Sequence, residues 1–283
     1  MLQVLITGAT NGLGLETGRA IAAMGHAVLL HGRDSRKGEA AADAIRAGTG
    51  NGNVRFIQAD FASLEQVRRM AAEVWDSLPR LDVLINNAGC ANFSRSVTQD
   101  GYETTFAVNH LAPFLLTNLL LDKIRNSAPA RIVNVASRAH RGQHIEFDDL
   151  MSTQRYRMMQ AYGRSKLANI LFTRALSKRL AGTGVTVNSL HPGVVNTHIG
   201  QNNLFARLIG RVIMQLRGVP VEEGAKTSIF LATSARIEGT SGGYYSECRP
   251  AVLMVPPEAV EDSVAERLWK VSRELVGVAG TVH

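Results

Sequence analysis

The 283-residue chain is 45% hydrophobic and carries a formal net charge of +7. That is enough for a sizeable core in one large α/β domain or two small ones. Its basic residues are dispersed with no run of five, which favours a solvated surface over a nucleic-acid interface; no stretch nears the roughly 18 apolar residues of a membrane span, and two cysteines, Cys90 and Cys248, make no disulfide framework.

Reduced thiols suit a cytoplasmic protein, and weak attraction of the basic surface to an anionic lipid or substrate stays open. Met1 leads directly into Leu2-Gln3-Val4-Leu5-Ile6, a short buried strand, which leaves no room for a signal peptide. Thr7-Gly8-Ala9-Thr10-Asn11-Gly12-Leu13-Gly14 follows, and then a helical pattern that stops at Gly25. Strand, glycine-rich turn and helix in that order suit a pyrophosphate. Glycines allow the backbone to approach it closely, and the helix N-terminus attracts the charge. The spacing is G-x-x-x-G-x-G, not the usual G-x-G-x-x-G.

Ala27 to His31 is a second strand, followed by Gly32, Arg33, Asp34 and, one turn on, Lys37. An NAD site wants a carboxylate here for the ribose 2′-hydroxyl; an NADP site wants space and a cation. Gly32 with Arg33 favours NADP over NAD, because a guanidinium grips a 2′-phosphate bidentately. Asp34 argues mildly the other way, and either it or Ser35 is expected to cap a helix from Arg36 to Ala47. Strand three, Val54 to Gln58, ends near Asp60. Asp60 and the amide of Phe61 suit an adenine contact, or Asp60 caps the helix from Ser63 to Leu78. Strand four, Leu81 to Ile85, runs into Asn86-Asn87-Ala88-Gly89, where polar side chains can tie neighbouring backbones beside a ligand.

Tyr102 to Leu121 is predicted as one long helix with Asn109 in its middle. Pro113 cannot donate to the Asn109 carbonyl, so the helix is loosened there and can hold a water for proton relay. Strand five, Arg131 to Val135, ends at Ala136-Ser137. The stretch from Arg138 to Gln160 reads as a polar excursion; its His140, His144, Asp148 and Asp149 match no metal spacing. Tyr162-Gly163-Arg164-Ser165-Lys166 then opens a helix that places an ammonium one turn from a phenol. A neighbouring cation lowers a phenol pKa of about 10, so the pair suits proton transfer to or from an alcohol or carbonyl oxygen. Strand six, Val185 to Leu190, ends at His191-Pro192-Gly193, a rigid turn with free backbone groups suited to a nicotinamide carboxamide; Val195 and Thr197 follow, and Thr197 can donate to a phosphate. An apolar stripe from Leu204 to Leu216, flanked by Arg207, Arg211 and Arg217, is read as part of a lid over residues 194–219 that covers an apolar substrate. A helix over Glu222 to Ala232, a last strand over Gly242 to Ser246 and a C-terminal helix over Pro257 to Val276 complete the chain. No repeat or linker divides it.

Thr7-Gly8-x-x-x-Gly12-x-Gly14, Asp60, Asn86-Asn87-Ala88-Gly89, Asn109, Ser137, Tyr162-x-x-x-Lys166 and Pro192-Gly193 resemble the short-chain dehydrogenase/reductase family, in its order and over most of the chain. Arg33, the long gap from Ser137 to Tyr162 and the tail around Tyr244-Tyr245 and Leu268-Trp269 resemble the retinol dehydrogenase and WW-domain oxidoreductase branch. The resemblance implies a single doubly wound Rossmann domain over residues 1–283, with a mostly parallel seven-stranded sheet and helices on both faces. It implies an NADP-preferring enzyme for lipophilic alcohols and carbonyls. The catalytic set would be Asn109, Ser137, Tyr162 and Lys166. The cofactor would lie on Gly8, Thr10, Asn11, Gly12, Leu13, Gly14, Arg33, Lys37, Asp60, Phe61, Asn87, Ala88, Gly89, Pro192, Gly193, Val195 and Thr197, with Asn109, Tyr162 and Lys166 touching its nicotinamide half. The implied reaction passes the 4-pro-S hydride of NADPH to a carbonyl carbon. Two departures stand out: the branch's N-terminal anchor is not seen, and its Ser-Ser is Ala136-Ser137 here. Many relatives dimerise through the helices around Tyr162 and Asn109, so a homodimer is compatible. The rival readings are an epimerase or dehydratase using the same Tyr/Lys pair, and a non-catalytic dinucleotide-binding scaffold.

Overall fold

Every residue of the strand Ala27–Gly32 is buried, so its near-continuous apolar run reflects a strand covered on both faces, as in parallel sheets. The structure, a computed structural model, describes residues 1–193, 220–255 and 261–278. Among these, β1 (Gln3–Ile6), α1 (Gly12–Ala23), β2 (Ala27–Gly32), α2 (Ser35–Thr49), β3 (Val54–Gln58), α3 (Leu64–Ser77) and β4 (Val83–Asn86) form the first half. The short α4 (Thr104–Phe106), a π-helical turn (Ala107–Leu111), α5 (Ala112–Leu119), α6 (Leu121–Arg125), β5 (Ala130–Val135), α7 (Met158–Arg179), β6 (Val185–His191), α8 (Val221–Thr233), β7 (Tyr244–Ser246), β8 (Arg249–Pro250) and α9 (Asp262–Val276) follow.

The sheet runs β3-β2-β1-β4-β5-β6-β7-β8, parallel throughout except for β8. The order reverses between β1 and β4, and that switch point is where an open α/β sheet leaves a crevice. The fold class matches the sequence reading. The strand count does not: β8 adds an eighth strand by a hairpin whose turn residues, Glu247 and Cys248, both have positive φ. Such a turn is normally signalled by Asn or Gly, and neither is present, so the hairpin is invisible in the sequence.

Successive residues of β1 enter opposite cores. Leu5 joins Leu84, Ile132, Leu115 and Leu171 on the α3/α5/α7 side. Val4 and Ile6 join Val28, Ile85, Val133 and Ile21 on the α1/α2 side. In the first core Phe114 meets Phe172 at 5.1 Å and Trp269 at 5.0 Å, which docks the C-terminal helix against α5 and α7. Asp34 caps α2 by accepting from the Lys37 amide, as read from sequence. Ser63, not Asp60, caps α3. The long helix expected over Tyr102 to Leu121 is divided by the π turn, whose break coincides with the missing Pro113 donor.

Candidate functional site

The crevice is stitched by Thr7. Its hydroxyl accepts from the amides of Asn87 (2.9 Å) and Ala88 (3.0 Å). The Asn87 side chain donates back to the carbonyls of Thr7 (2.8 Å) and Gly8 (3.0 Å). The ends of β1 and β4 are thereby locked together. Gly8 and Gly12 have φ of +64° and +52°, in the left-handed region. A Cβ on Gly8 would stand 2.7 Å from Ala88 Cα, and one on Gly14 would stand 2.5 Å from the Gly8 carbonyl oxygen. The first turn of α1 carries no acidic residue and Asn11 makes no side-chain cap. The positive end of the helix therefore faces the crevice uncapped, and this cradle fits a dinucleotide pyrophosphate.

His31 braces the turn from below. Its Nδ1 accepts from the Gly8 amide at 3.3 Å while Nε2 lies 3.0 Å from the Ala59 carbonyl, which fixes the neutral tautomer protonated at Nε2. Burial pushes its pKa down to about 4. Phe61 stacks on it at 4.3 Å, so that ring belongs to the core. Beside it, Asp60 Oδ1 accepts from the Ala62 amide at 2.9 Å. At the end of β2, a Cβ on Gly32 would stand 2.4 Å from Thr10 Cγ2, so glycine keeps this corner open. Arg33 is exposed there and in no ion pair among the described residues. Asp34 is turned into the helix: Oδ1 accepts from the Lys37 amide at 3.0 Å, and Lys37 Nζ lies 3.5 Å from Oδ2. The only carboxylate next to Arg33 in sequence is thus committed to capping.

Beyond the turn, β5 delivers Ser137 and α7 delivers Tyr162 and Lys166. Tyr162 is half-buried there, near enough to Ser137 for the serine to act on its phenol. Burial pushes the phenol above its ordinary value, and the neighbouring Ser137 pulls it partly back. This differs from the sequence expectation that Lys166 governs the phenol. Lys166 Nζ donates to the Val135 carbonyl at 3.0 Å and lies 5.6 Å from the centre of the tyrosine ring. Its own pKa is pushed down to about 8 by burial. The charge that was to act on Tyr162 is itself weakened. Asn169 Nδ2 approaches the same carbonyl at 3.5 Å, and its Oδ1 lies 3.4 Å from Nδ1 of the buried His110; His110 Nε2 is 2.8 Å from Ser272 of α9.

Asn109 sits in the π turn, fully buried. Its side chain accepts from the Cys90 amide (2.7 Å) and donates to the Cys90 carbonyl and to Ser165 Oγ (2.9 Å each). Those bonds occupy the side chain, and Pro113 has no N–H to offer the Asn109 carbonyl. A Cβ on Gly89 would lie 3.3 Å from both Asn109 Oδ1 and Lys166 Nζ, so this glycine floors the pocket over both. The structure thus gathers the glycine turn with Thr10, Asn11 and Leu13, then Asn87 to Gly89, Asn109, Ser137, Tyr162 and Lys166 around the C-terminal ends of β1, β4 and β5. Pro192 and Gly193 (φ +84°) stand half-buried after β6. Val195, Thr197 and the lid read over 194–219 lie outside the described residues. Sequence reasoning placed Thr7 in the glycine motif without a role and missed His31, Cys90 and Ser165. Among the described residues no group of three or more His, Cys, Asp or Glu is placed to hold a metal ion, and no helix is long and apolar enough to cross a membrane.

Residues 3–206 match the family model described as short chain dehydrogenase. Mouse retinol dehydrogenase 14 is 44% identical over 288 residues, covering 97% of this chain and 86% of that protein. A crystal structure of an uncharacterized protein from Mycobacterium paratuberculosis superposes with a TM-score of 0.78 at 32% identity, covering 98% of this chain and 94% of the other. The NADP complex of Pseudomonas aeruginosa RhlG superposes with a TM-score of 0.69 at 26% identity, covering 86% and 93%.

Proposed function

Because the chain belongs to the short-chain dehydrogenase family, in its retinol dehydrogenase-like branch, we propose that it is an NADP(H)-dependent oxidoreductase interconverting a lipophilic carbonyl compound and its alcohol. Membership makes it an oxidoreductase of alcohol and carbonyl groups; the cofactor choice, the residue roles and the lipophilic substrate are our reading. The observation that carries it is the glycine cradle standing beside Tyr162 and Ser137, with the buried Lys166 5.6 Å from the tyrosine ring.

Bound at the cradle, NADPH would supply a hydride to the carbonyl carbon. The Tyr162 hydroxyl donates its proton to the carbonyl oxygen. Burial keeps that phenol protonated at neutral pH, which is the form a reductase needs at the start of the cycle. Ser137 donates to the same oxygen and stabilises the charge that develops there. Lys166, at about 8, can exchange a proton near neutral pH and so restores the phenol. The carbonyl of Asn109 holds the water that connects Lys166 to solvent. Arg33 selects the 2′-phosphate, supported by the absence of a free carboxylate at the end of β2 and by the NADP carried by one structural relative.

The test is turnover of a panel of apolar aldehydes, retinal included, with NADPH and NADH. The reading predicts aldehyde-dependent oxidation of NADPH, faster than of NADH. It also predicts that Arg33→Ala lowers kcat/KM for NADPH at least tenfold and spares NADH. Equal use of both cofactors by the wild type would overturn the NADP assignment.

A further inference from the structure

Immediately after Ser137 the chain turns through Arg138–His140 into Arg141. His191, the last residue of β6, is 3% exposed, and its Nδ1 accepts from the Arg138 amide at 3.2 Å. In the neutral ring the proton therefore lies on Nε2, and that N–H has no hydrogen-bond partner among the described residues. Tyr244 of β7 is 5% exposed and stands edge-on to His140 at 5.2 Å; its hydroxyl also has no partner among the described residues. Parallel pairing of Ser189 with Tyr244 and of His191 with Ser246 puts His191 and Tyr244 on one face of the sheet. Tyr244 lies there in the core shared with α7.

Two buried donors without acceptors are uncommon, and each normally marks a bound partner. Here the surroundings indicate its charge. Arg138 and Arg141 are exposed and in no ion pair among the described residues. The Arg138 amide bonds to His191 and Arg141 closes the same turn, which packs His140 on Tyr244; burial depresses His191 and raises Tyr244, and the two arginines add to the first shift and oppose the second. The segments 127–145 and 185–221 contain no Asp or Glu, so neither neutralises the cluster in sequence. The His191 N–H can only donate, the Tyr244 hydroxyl can donate, and Arg138 and Arg141 are positive, which together are complementary to an oxyanion. This cluster lies over β5 to β7, away from the glycine turn and Arg33 at β1 and β2 and on the side of the crevice where Pro192 and Gly193 follow His191.

We propose that Arg138, Arg141, His191 and Tyr244 form a recognition site for an oxyanion, carboxylate or phosphate, that the substrate carries away from its reacting carbonyl. The preferred substrates are then amphiphilic oxo compounds and not wholly apolar ones. The proposal rests on Tyr162 and Ser137 being the reacting centre.

The experiment compares three aldehydes of equal chain length with NADPH, ending in a methyl group, a carboxylate or a phosphate monoester. The wild type should show at least tenfold higher kcat/KM for a charged aldehyde than for the methyl one, and the better of the two charged tails identifies the oxyanion. The double variant R138A/R141A should lower that ratio at least tenfold. Tyr244→Phe, which removes only a hydroxyl, should lower it severalfold at a melting temperature close to wild type. A wild-type ratio near or below one overturns the proposal, as does a double variant that slows all three aldehydes alike. If the methyl aldehyde is reduced without preference, the subsite alone fails; if no aldehyde is reduced, the reductase reading fails and takes the subsite with it.

Discussion

A single methyl group probes the cofactor cradle. On Gly14 it would stand 2.5 Å from both the Gly8 carbonyl oxygen and Asn87 Nδ2, and neither can retreat without undoing the β1–β4 lock. Gly14→Ala should weaken NADPH binding at least tenfold in a fluorescence titration and lower stability by ~1–3 kcal/mol. Unchanged affinity would contradict the cradle. At this scale the glycines, Asn87, Ser137 and the Tyr162/Lys166 pair were legible, because each is an unusual residue type at a strand end or a helical spacing. Thr7 and His31 were not. Thr7 acts on backbone amides 80 and 81 positions away, and His31 on an amide 23 positions back. A threonine or histidine closing a strand announces neither. The behaviour of Tyr162 also required coordinates, since proximity of Lys166 in sequence says nothing of how deeply both groups are buried.

Among the elements, the π turn is where sequence chemistry and architecture meet most closely. Pro113 was enough to predict a helix loosened at Asn109, and the turn Ala107–Leu111 is that loosening. The division into α4 and α5 was not predicted, because the apolar pattern runs through the break without a change of period. Pro113→Ala would return the N–H that can close the bond to the Asn109 carbonyl. The expected result is a severalfold lower kcat with NADPH affinity within twofold of wild type and no loss of melting temperature. An unchanged kcat would remove the Asn109 carbonyl from the relay. The β7–β8 hairpin is the opposite case: positive φ at Glu247 and Cys248 is imposed by the fold against local preference, so no sequence signal exists.

For the molecule as a whole, the alternation of strands and helices was legible and the family resemblance implied the doubly wound fold, while the strand order and the two cores required the pairing and its register. The core between the sheet and α3, α5 and α7 is tied to two buried neutral histidines, which pack on Phe61 and on Phe106, Phe114 and Phe172. His31 under the glycine turn and His110 between α7 and α9 are each held at about 4, against an ordinary 6.5. Depressed values mean that the unfolded chain takes up these protons first. Stability is therefore full above pH 6.5 and declines as pH falls toward 4, by up to roughly 3 kcal/mol per histidine. Melting temperature should begin to drop near pH 6.5, above the range where carboxylates titrate. A profile flat from pH 7 to 5 would contradict the buried neutral state.

The proton donor is the claim on which the functional account turns. Tyr162→Phe removes one oxygen from a half-buried ring and leaves the cradle intact. Single-turnover reduction of an apolar aldehyde by the NADPH-loaded protein should slow at least ~100-fold, the scale of general acid catalysis, with the NADPH Kd within twofold of wild type. Near-normal turnover by Tyr162→Phe would contradict the account.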